Sequence, residues 1–459
     1  MEIRLYDTKA KKKAVFKPIN PADIKFYVCG PTVYDRAHIG NARPAVVFDL
    51  LFRFLRNVFG KSSVTYVRNF TDIDDKINKQ SVETGKSINS ITDETIQWYM
   101  EDMLKLNVLN PTESPRATEY IDPMIKQIET LIKNKNAYSD DTGHVFFSVK
   151  SFPEYGLLSK RNLHEMEVGN RALVSDGKSD PMDFVLWKPS DDQTPGWESP
   201  WGRGRPGWHI ECSAMIYELL GTNFDIHGGG IDLVFPHHEN ELAQSLCAHP
   251  SGQFANIWMH NGFLQIEGQK MSKSLGNFFT VKDLITKGIS GEVIRMVLMS
   301  THYRQPLDWT SQRVQEVSNV LTKWRNLCSN VTPTKVPSKE ILAALADDLN
   351  TPLVFTKLHE LAGEGKYSEL LGTARFLGLL WNDIETDERY GTISAFHKAQ
   401  IENLIAERLE AKNKKDFTTA DLIRKKLEDV GVSIMDQIDT TEWSIGSNLD
   451  IKKMEDLIR

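Results

Sequence analysis

Short apolar runs and a longer amphipathic stretch alternate in the first part of the chain. Residues 26–29 and 64–68 are apolar runs typical of buried strands, and residues 42–58 between them have apolar positions at helical spacing. This order predicts a βαβ unit of a parallel sheet. The joining segment, residues 31–41, then lies at the carboxyl end of a strand, where open parallel sheets bind their ligands.

The strand-and-helix pattern resumes in the second half of the chain. Residues 224–227 and 257–263 are predicted strands, and residues 237–248 between them are a predicted helix. The region between the two halves is rich in glycine, proline and tryptophan, which predicts an insertion into the sheet domain. Within it we expect a helix over 121–135 and a short strand over 144–149.

Helical patterns fill the rest of the chain. Residues 291–328 and 341–380 are amphipathic, with a proline-containing linker at 332–337. The predicted fold class is α/β: a Rossmann-like parallel-sheet catalytic domain with an insertion, followed by a helical domain and a small C-terminal α-rich module. The predicted domains are the sheet domain over 1–115 and 206–310, the insertion over 116–205, a helical bundle over 311–395 and the module over 396–459.

Composition indicates an ordinary globular protein with more than one domain. The chain has 459 residues, 40% hydrophobic and 25% charged, which is too long for one typical core. No apolar run approaches the roughly 20 residues that span a bilayer, and the first residues lack the apolar segment of a secretory signal. The cysteines, at positions 29, 212, 247 and 328, suggest no disulfide framework. We therefore expect a cytoplasmic protein without membrane association.

Charge argues mildly against nonspecific binding to nucleic acids. The chain has 55 Lys and Arg against 62 Asp and Glu, a net charge of −7. Two local basic clusters are still compatible with RNA contact, although each is more simply a solvated face. They are Lys9, Lys11, Lys12 and Lys13 near the start, and Lys412, Lys414, Lys415, Arg424, Lys425 and Lys426 near the end.

Two short motifs carry candidate nucleotide chemistry. His38-Ile39-Gly40-Asn41 lies between a predicted strand and a predicted helix, where a glycine lets a nucleotide approach the backbone. Lys270-Met271-Ser272-Lys273-Ser274 holds two lysines around a small polar residue, which suits a polyphosphate. Alone, each could be a turn or a solvated loop. Together they predict a nucleotide site.

Four widely separated residues are candidate metal ligands. His237 and Glu241 are spaced i, i+4, which places both on one helix face. Cys29 ends the first predicted strand, and Cys212 comes before the second half of the sheet. The chain has no CxxC pair, and His238 satisfies an i, i+3 relation with Glu241 equally well. Spacing therefore leaves open both the metal and the choice of histidine.

The two motifs resemble the HIGH and KMSKS signatures of class I aminoacyl-tRNA synthetases, and longer runs resemble the cysteinyl-tRNA synthetase family over nearly the whole chain. The matching runs are residues 27–35, 69–76, 181–188, 205–212, 225–230 and 235–241. The resemblance implies an enzyme that activates L-cysteine with ATP, releases pyrophosphate, and transfers cysteine from the cysteinyl adenylate to the 3′-terminal adenosine of tRNA-Cys. It also implies a monomer.

The resemblance further implies roles for individual residues. One Zn²⁺ ion per chain would be held by Cys29, Cys212, His237 and Glu241, with His237 and not His238 as the nitrogen ligand. The implied catalytic residues are His38, Lys270 and Lys273. ATP, accompanied by Mg²⁺, would be bound by His38, Gly40, Asn41, Lys270, Ser272 and Lys273. The substrate cysteine would be bound by Thr32 and Trp208. Asn41 departs from the signature, which has a histidine there. An amide donates a hydrogen bond but does not titrate.

A zinc ion would be a sound way to choose cysteine. A pocket that distinguishes substrates by one atom gains only about 1–3 kcal/mol, or roughly 10–200-fold. Because serine is nearly isosteric with cysteine, a pocket alone would give only a small preference for cysteine over serine. Zinc binds a thiolate strongly and a serine hydroxyl poorly. Selection by a metal would make an editing site unnecessary, and the sequence indicates no further domain that would contain one.

Two other functions remain compatible with the residues. A cysteine ligase on the same catalytic core could pass activated cysteine to a small amine, but such enzymes lack an anticodon-binding end. Residues 420–427 and 441–443 resemble the family's C-terminal module, which favours tRNA. A non-catalytic RNA-binding descendant is the second alternative. Retention of His38, both motif lysines and all four presumed ligands argues against it.

Overall fold

The computed structural model describes two compact units, Met1–Trp381 and Asn382–Arg459. The described residues are 1–161, 177–192, 194–272, 275–381, 395–436 and 441–445. The strands are β1 Arg4–Asp7, β2 Lys12–Val15, β3 Ile24–Val28, β4 Val64–Arg68, β5 Ala137–Ser139, β6 Val145–Phe147, β7 Phe184–Pro189, β8 Gly204–Pro206, β9 Asn223–Gly230, β10 Phe254–Asn261, β11 Leu264–Ile266, β12 Gln269–Lys270, β13 Leu307–Trp309, β14 Val432–Asp436 and β15 Thr441–Ile445.

The described helices begin in the first βαβ unit and dominate the second half of the chain. They are α1 Ile39–Phe59, α2 Asp75–Thr84, α3 Ile88–Lys105, α4 Ile121–Lys133, α5 Trp208–Leu220, α6 His237–Ala248, α7 Val281–Thr286, α8 Gly291–Met299, α9 Ser311–Leu327, α10 Lys339–Ala346, α11 Thr351–Gly363, α12 Tyr367–Phe376, α13 Ala395–Asn413 and α14 Phe417–Asp429. Among the described residues, none of these helices is both long enough and apolar enough to cross a membrane.

A four-stranded parallel sheet forms the centre of the first unit. Its strand order is β10-β9-β3-β4, and every neighbouring pair is parallel. The chain leaves β3 through α1 to reach β4 on one side, whereas β9 lies on the other side of β3. Strand order therefore reverses between β3 and β9, and a ligand-binding crevice is expected at their carboxyl ends. The predicted α/β fold with a parallel sheet is confirmed.

Helix α1 packs its apolar face on the sheet. Phe48 is fully buried, and its ring lies so close to Gly228 that a Cβ there would be 2.3 Å from a ring carbon. Only glycine allows this approach of helix and strand. Gly30, just after β3, is under a similar constraint, because an added Cβ would lie 1.7 Å from the Asn69 carbonyl oxygen. The chain is thus closely packed around the carboxyl ends of β3 and β9.

The region predicted to be an insertion, together with Pro206 just beyond it, contains an antiparallel sheet in the order β5-β6-β7-β8. The expected helix is α4, Ile121–Lys133, and the short strand is β6, Val145–Phe147. Asp75, at the start of α2, connects this sheet to the helix that follows β4 by ion pairs at 3.1 Å with Lys188 of β7 and Arg205 of β8.

Buried charges join the helices that follow the sheet to the sheet itself. Arg295 of α8 is fully buried, pairs with Asp49 of α1, and donates to the Leu377 carbonyl at 2.8 Å. Asp348 accepts hydrogen bonds from the Tyr6 amide at 2.9 Å and the Tyr303 hydroxyl at 2.7 Å. One cluster of buried apolar residues likewise includes side chains of the sheet and of the later helices, from Ile3 to Leu380. The boundary predicted at residue 310 stays a prediction.

Two elements differ from the sequence-based expectation. The stretch predicted as helical over 291–328 contains β13, which pairs in parallel with β11. In the second unit, α13 and α14 are followed by an antiparallel hairpin of β14 and β15, so the expected α-rich module also has a β element. All three strands are short; β13 is hydrogen-bonded to β11, and β14 and β15 are hydrogen-bonded to each other, pairings that helical periodicity does not reveal.

Candidate active site

The four predicted metal ligands converge at the carboxyl end of β3. Cys29 follows that strand, Cys212 lies on α5, and His237 and Glu241 occupy the first turns of α6. The two Sγ atoms are 3.7 Å apart, Cys29 Sγ is 3.4 Å from Glu241 Oε1, and His237 Nε2 is 3.0 Å from the same oxygen. One donor atom from each residue lies within 4.8 Å of the others. This compact set of two sulfurs, one imidazole and one carboxylate suits zinc.

Electrostatics in this cluster favour the anionic forms of Cys212 and Glu241, whereas burial, with Cys212 and Glu241 beside it, raises the pKa of the Cys29 thiol well above its usual value. The hydrogen bond from the Cys29 thiol lowers the pKa of Cys212 to about 6, against the effect of burial. Burial disfavours the charged carboxylate of Glu241, but His227 and His237 hold its pKa well below the usual range. Burial likewise opposes protonation of His237, yet Glu241 and Cys212 raise its pKa to about 10. The buried anions therefore already attract a positive charge, which a cation would supply.

A second grouping at this place uses His238 instead of His237. Cys29, His227, His238 and Glu241 also have donor atoms within 4.8 Å of one another. However, His238 Nε2 is 3.8 Å from Glu241 Oε1, and its Nδ1 is hydrogen-bonded at 2.8 Å to His260 Nε2. His227 Nε2 is bonded at 2.8 Å to Glu241 Oε2. The distances favour His237 and leave His227 and His238 as supporting residues behind the cluster.

His227 and His209 are site residues that the sequence interpretation missed. His227 orients the Glu241 carboxylate, and His209 Nδ1 is 2.9 Å from His237 Nδ1. The indole of Trp208 stacks on the His237 ring, with centroids 4.3 Å apart and planes 22° apart. The signal for His227 was its place beside three glycines at a strand end, but a single histidine in a strand is usually part of the core.

The expected substrate residues lie on the rim of the same crevice. Thr32 is three residues beyond Cys29 and forms a backbone bridge with Thr71, which follows β4. Trp208 begins α5 and keeps 41% of its surface exposed while stacked on His237. A small substrate bound against the cluster would therefore have Trp208 as one wall and the loop around Thr32 as another.

The two nucleotide motifs meet at the start of α1. His38 directly precedes this helix, and its backbone bridges Thr280 just beyond the lysine motif. A Cβ added to Gly40 would lie 2.8 Å from the His38 ring and 3.1 Å from Met271 Cε. The glycine thus allows His38 and the lysine motif to pack together around the first turn of α1, which also contains Asn41.

Asn277 positions the lysine motif. Its Oδ1 accepts from the Ser272 amide at 2.8 Å, and its Nδ2 donates to the Lys270 carbonyl at 3.2 Å. Lys270 ends β12 and is exposed. Lys273, the second predicted catalytic lysine, lies outside the described residues together with Ser274. The sequence interpretation missed Asn277 because it falls three residues beyond the motif.

Gly40→Ala should reduce ATP-dependent activation by roughly 10- to 100-fold while leaving the protein folded. The added methyl group would displace the His38 ring, from which it would be 2.8 Å, and small misplacements of catalytic groups cost up to about 100-fold. Alanine is the better helix former by up to about 1 kcal/mol. The rate of ATP–pyrophosphate exchange and the melting temperature should therefore change independently.

Gly363→Ala is the matched control, because an added Cβ there meets nothing within 4 Å. It should leave the exchange rate unchanged. A Gly40→Ala variant with an unaltered exchange rate would show that the close approach of His38 and Met271 to Gly40 has no catalytic role.

Two family models match the chain. The model described as "tRNA synthetases class I (C) catalytic domain" matches residues 15–319. The model described as "Cysteinyl-tRNA ligase anticodon binding domain" matches residues 397–443. The first match contains all the predicted site residues, and the second lies within the second compact unit.

Curated relatives are similar over nearly the full length. The chain is 54% identical to the cysteine–tRNA ligase of Paracoccus denitrificans, over 99% of each chain. It is 53% identical to that of Cereibacter sphaeroides, over 98% of each chain. This degree of identity over whole chains establishes common family membership.

Solved structures with similar folds are much more distant in sequence. Mycobacterium tuberculosis methionyl-tRNA synthetase bound by methionyl-adenylate has a TM-score of 0.54 at 13% identity, covering 77% of this chain and 89% of that one. Agrobacterium radiobacter LeuRS, in a ternary complex with tRNA, has a TM-score of 0.55 at 11% identity, covering 79% and 83%. These likenesses concern the fold alone. On the evidence of both family models and of the curated relatives, the chain belongs to the cysteine–tRNA ligase family of class I aminoacyl-tRNA synthetases.

Proposed function

We propose that this protein is a cysteine–tRNA ligase, which activates L-cysteine with ATP to cysteinyl adenylate and pyrophosphate and then loads tRNA-Cys. The observation that carries the proposal is the convergence of Cys29, Cys212, His237 and Glu241 beside the joined nucleotide motifs. Whole-chain identity with curated cysteine–tRNA ligases supports it. In this proposal the protein acts as a monomer in the cytoplasm.

We assign a zinc ion to the four converging donors. When bound, it would supply a coordination position that takes the thiolate of cysteine in preference to the hydroxyl of serine. The chain's own residues fix the geometry: His227 holds one oxygen of Glu241, and His209 contacts Nδ1 of His237. Trp208, stacked on His237, excludes water from one side of the substrate pocket.

Activation requires attack by the cysteine carboxylate on the α-phosphorus of ATP, with pyrophosphate leaving on the opposite side. The protein contributes positioning and charge stabilisation. His38, the Gly40 backbone, the Asn41 amide and Ser272 would contact ATP, which brings its Mg²⁺. Lys270 and Lys273 would neutralise the charge that grows on the leaving pyrophosphate. Asn277 supports this arrangement by holding the lysine motif at both Ser272 and Lys270.

Transfer then moves cysteine from the adenylate to the 3′-terminal adenosine of the tRNA. A ribose hydroxyl of that adenosine attacks the carbonyl carbon, and AMP leaves. The acceptor end and the anticodon are far apart in tRNA, so different parts of the protein must hold them. We assign the acceptor end to the insertion over 116–205 and the anticodon to the module over 396–459, part of which matches the anticodon-binding family model at 397–443.

Two assays test the proposal. Cysteine-dependent ATP–pyrophosphate exchange should be present and much weaker with serine, and unfractionated tRNA should accept radioactive cysteine. Exchange without tRNA charging, but with product formed from a small amine, would favour the alternative cysteine ligase. A chain without exchange activity would be an RNA-binding descendant.

Lys273→Ala should depress the activation rate far more than it weakens ATP binding. Negative charge shifts onto pyrophosphate only as the bond breaks, so the lysine acts mainly on the transition state. Exchange kinetics at varied ATP should show a lower rate constant, by roughly 100-fold or more, with a Michaelis constant changed only severalfold. The control is Lys282→Ala, which removes an exposed lysine on nearby α7. A raised Michaelis constant with an unchanged rate constant would contradict this role.

A further inference from the structure

The hairpin of β1 and β2 carries a lysine-rich turn outside the nucleotide and cysteine sites. We call Lys9, Lys11 and Lys12 the lysine turn. Lys11 and Lys12 are exposed, and Lys9 is half-buried. Among the described residues none of the three has a carboxylate within ion-pair distance, whereas their neighbour Lys13 pairs with Asp347 at 2.7 Å. The turn therefore presents uncompensated positive charge on a chain whose net charge is −7.

The turn is held firmly against the parallel sheet. Asp7 is buried, and its carboxylate accepts hydrogen bonds from the turn and from the sheet. Within the turn, Oδ2 accepts from the Ala10 amide at 3.0 Å and Oδ1 from the Lys9 amide at 3.1 Å. From the sheet, Oδ1 also accepts from the Trp258 amide at 3.0 Å. The Thr8 amide donates to the Trp258 carbonyl at 2.9 Å. A turn whose backbone is fixed in this way is ordered before a partner arrives, which reduces the backbone entropy lost on binding.

The lysine turn also lies at the catalytic end of the sheet. Trp258 belongs to the carboxyl-terminal half of edge strand β10, which runs parallel to β3 and β9. Thr8 Oγ1 is 2.8 Å from His260 Nδ1. His260 is in turn hydrogen-bonded to His238, which lies behind the four candidate metal ligands. The turn thus lies beside the carboxyl-terminal half of β10, on the side of the sheet that a tRNA 3′ terminus approaches in the proposed function.

We propose that the lysine turn contacts the phosphate backbone of the tRNA when its 3′ end occupies the crevice. This inference rests on the proposed function. The tRNA backbone brings phosphodiesters to this end of the sheet in addition to ATP, and exposed lysines without carboxylate partners suit phosphodiesters as point charges. Contacts of this kind supply affinity that falls with salt and carry no base specificity.

The test removes charge from the turn without changing its shape. K11Q/K12Q replaces both exposed lysines with neutral side chains, and K11R/K12R keeps the charge. Lys11 has a positive φ of 54°, and neither glutamine nor arginine is more strained there than lysine. K11Q/K12Q should bind tRNA roughly 3- to 10-fold more weakly at about 0.1 M salt, with a salt slope reduced by about one to two. K11R/K12R should stay within about twofold of the unaltered protein.

A second pair of lysines provides the charge-matched control. K335Q/K339Q neutralises two exposed lysines of the linker and the start of α10, and it should leave tRNA binding unchanged. Cysteine-dependent exchange should be equal in all of these variants, because the lysine turn contacts neither ATP nor cysteine.

Three results would overturn the inference. The first is an unchanged tRNA affinity and salt slope in K11Q/K12Q. The second is a loss of tRNA affinity in K335Q/K339Q equal to that in K11Q/K12Q. The third is a K11Q/K12Q variant that binds polyglutamate more weakly but tRNA normally, which would assign the turn to an acidic protein partner. Failure of the proposed function is distinguishable, because the unaltered protein would then lack cysteine-dependent exchange. Normal exchange with unaltered tRNA binding in K11Q/K12Q refutes the lysine turn alone.

Discussion

Cys212→Ser should lose most of its bound zinc and more than about 100-fold in cysteine activation. Serine keeps the shape of the side chain, but its hydroxyl is a poor ligand at neutral pH. Substitution of a residue that only supports a metal ligand typically lowers metal affinity or activity by about 10- to 100-fold. Substitution of a ligand itself should lower them further. Preference for cysteine over serine should fall towards the roughly 10–200-fold that a pocket alone provides. Zinc per chain, from elemental analysis, and exchange with each amino acid measure the two effects.

Cys247→Ser makes the same atomic change at a buried thiol outside the cluster. Burial raises the pKa of Cys247 to about 12, so it is a neutral core residue. This variant should retain zinc and activity, perturbing stability alone. If Cys212→Ser also retained its zinc and its selectivity, the assignment of Cys29, Cys212, His237 and Glu241 as ligands would be wrong.

Ending the chain after Trp381 should leave cysteine activation nearly intact while tRNA charging falls by about 100-fold or more. The described active-site residues all belong to the first compact unit, which has its own core. The anticodon-binding match lies wholly in the second. Lost phosphate and base contacts at the anticodon would weaken tRNA binding without touching ATP or cysteine. Exchange and charging assays on the same preparation separate the two steps.

Charge reversal in the full-length chain provides an independent check on that result. Lys425→Glu with Lys426→Glu alters exposed residues of α14 and should weaken charging in the same direction. Circular dichroism of the shortened chain establishes that it is folded. A folded chain ending at Trp381 that charged tRNA as well as the full protein would refute the anticodon assignment.

Local patterns gave good element boundaries where one face of the element is buried. Strand β4 and helix α6 have the predicted limits, Val64–Arg68 and His237–Ala248. Helix α1 begins at Ile39, three residues before the predicted start, because Gly40 and Asn41 interrupt the apolar periodicity. The same interruption is what makes this turn suitable for a nucleotide, so the functional site is where the pattern was least regular.

Long-range contacts explain what the sequence left undetermined. Strand β13 depends on its distant partner β11, and the pairing of β14 with β15 is likewise not identified by helical periodicity. The i, i+3 and i, i+4 spacings allow either His238 or His237 to reach Glu241. In the structure His237 contacts Glu241, whereas His238 is hydrogen-bonded to His260. His227 reaches Glu241 across the gap between strand and helix. The residues close in sequence to each of these positions do not determine which partner it contacts.

The buried Arg295 connects helix α1, which packs on the catalytic sheet, to the end of the later helices. The match to the catalytic family model ends at residue 319, yet Arg295 donates to the carbonyl of Leu377, and Tyr6 depends on Asp348. A polypeptide stopped at 319 would leave buried donors without their acceptors, which costs about 1–3 kcal/mol for each group and more for a charged one. The sheet and the later helices should therefore unfold in a single thermal transition. The end of the family-model match at residue 319 is thus not the end of a segment that is stable alone.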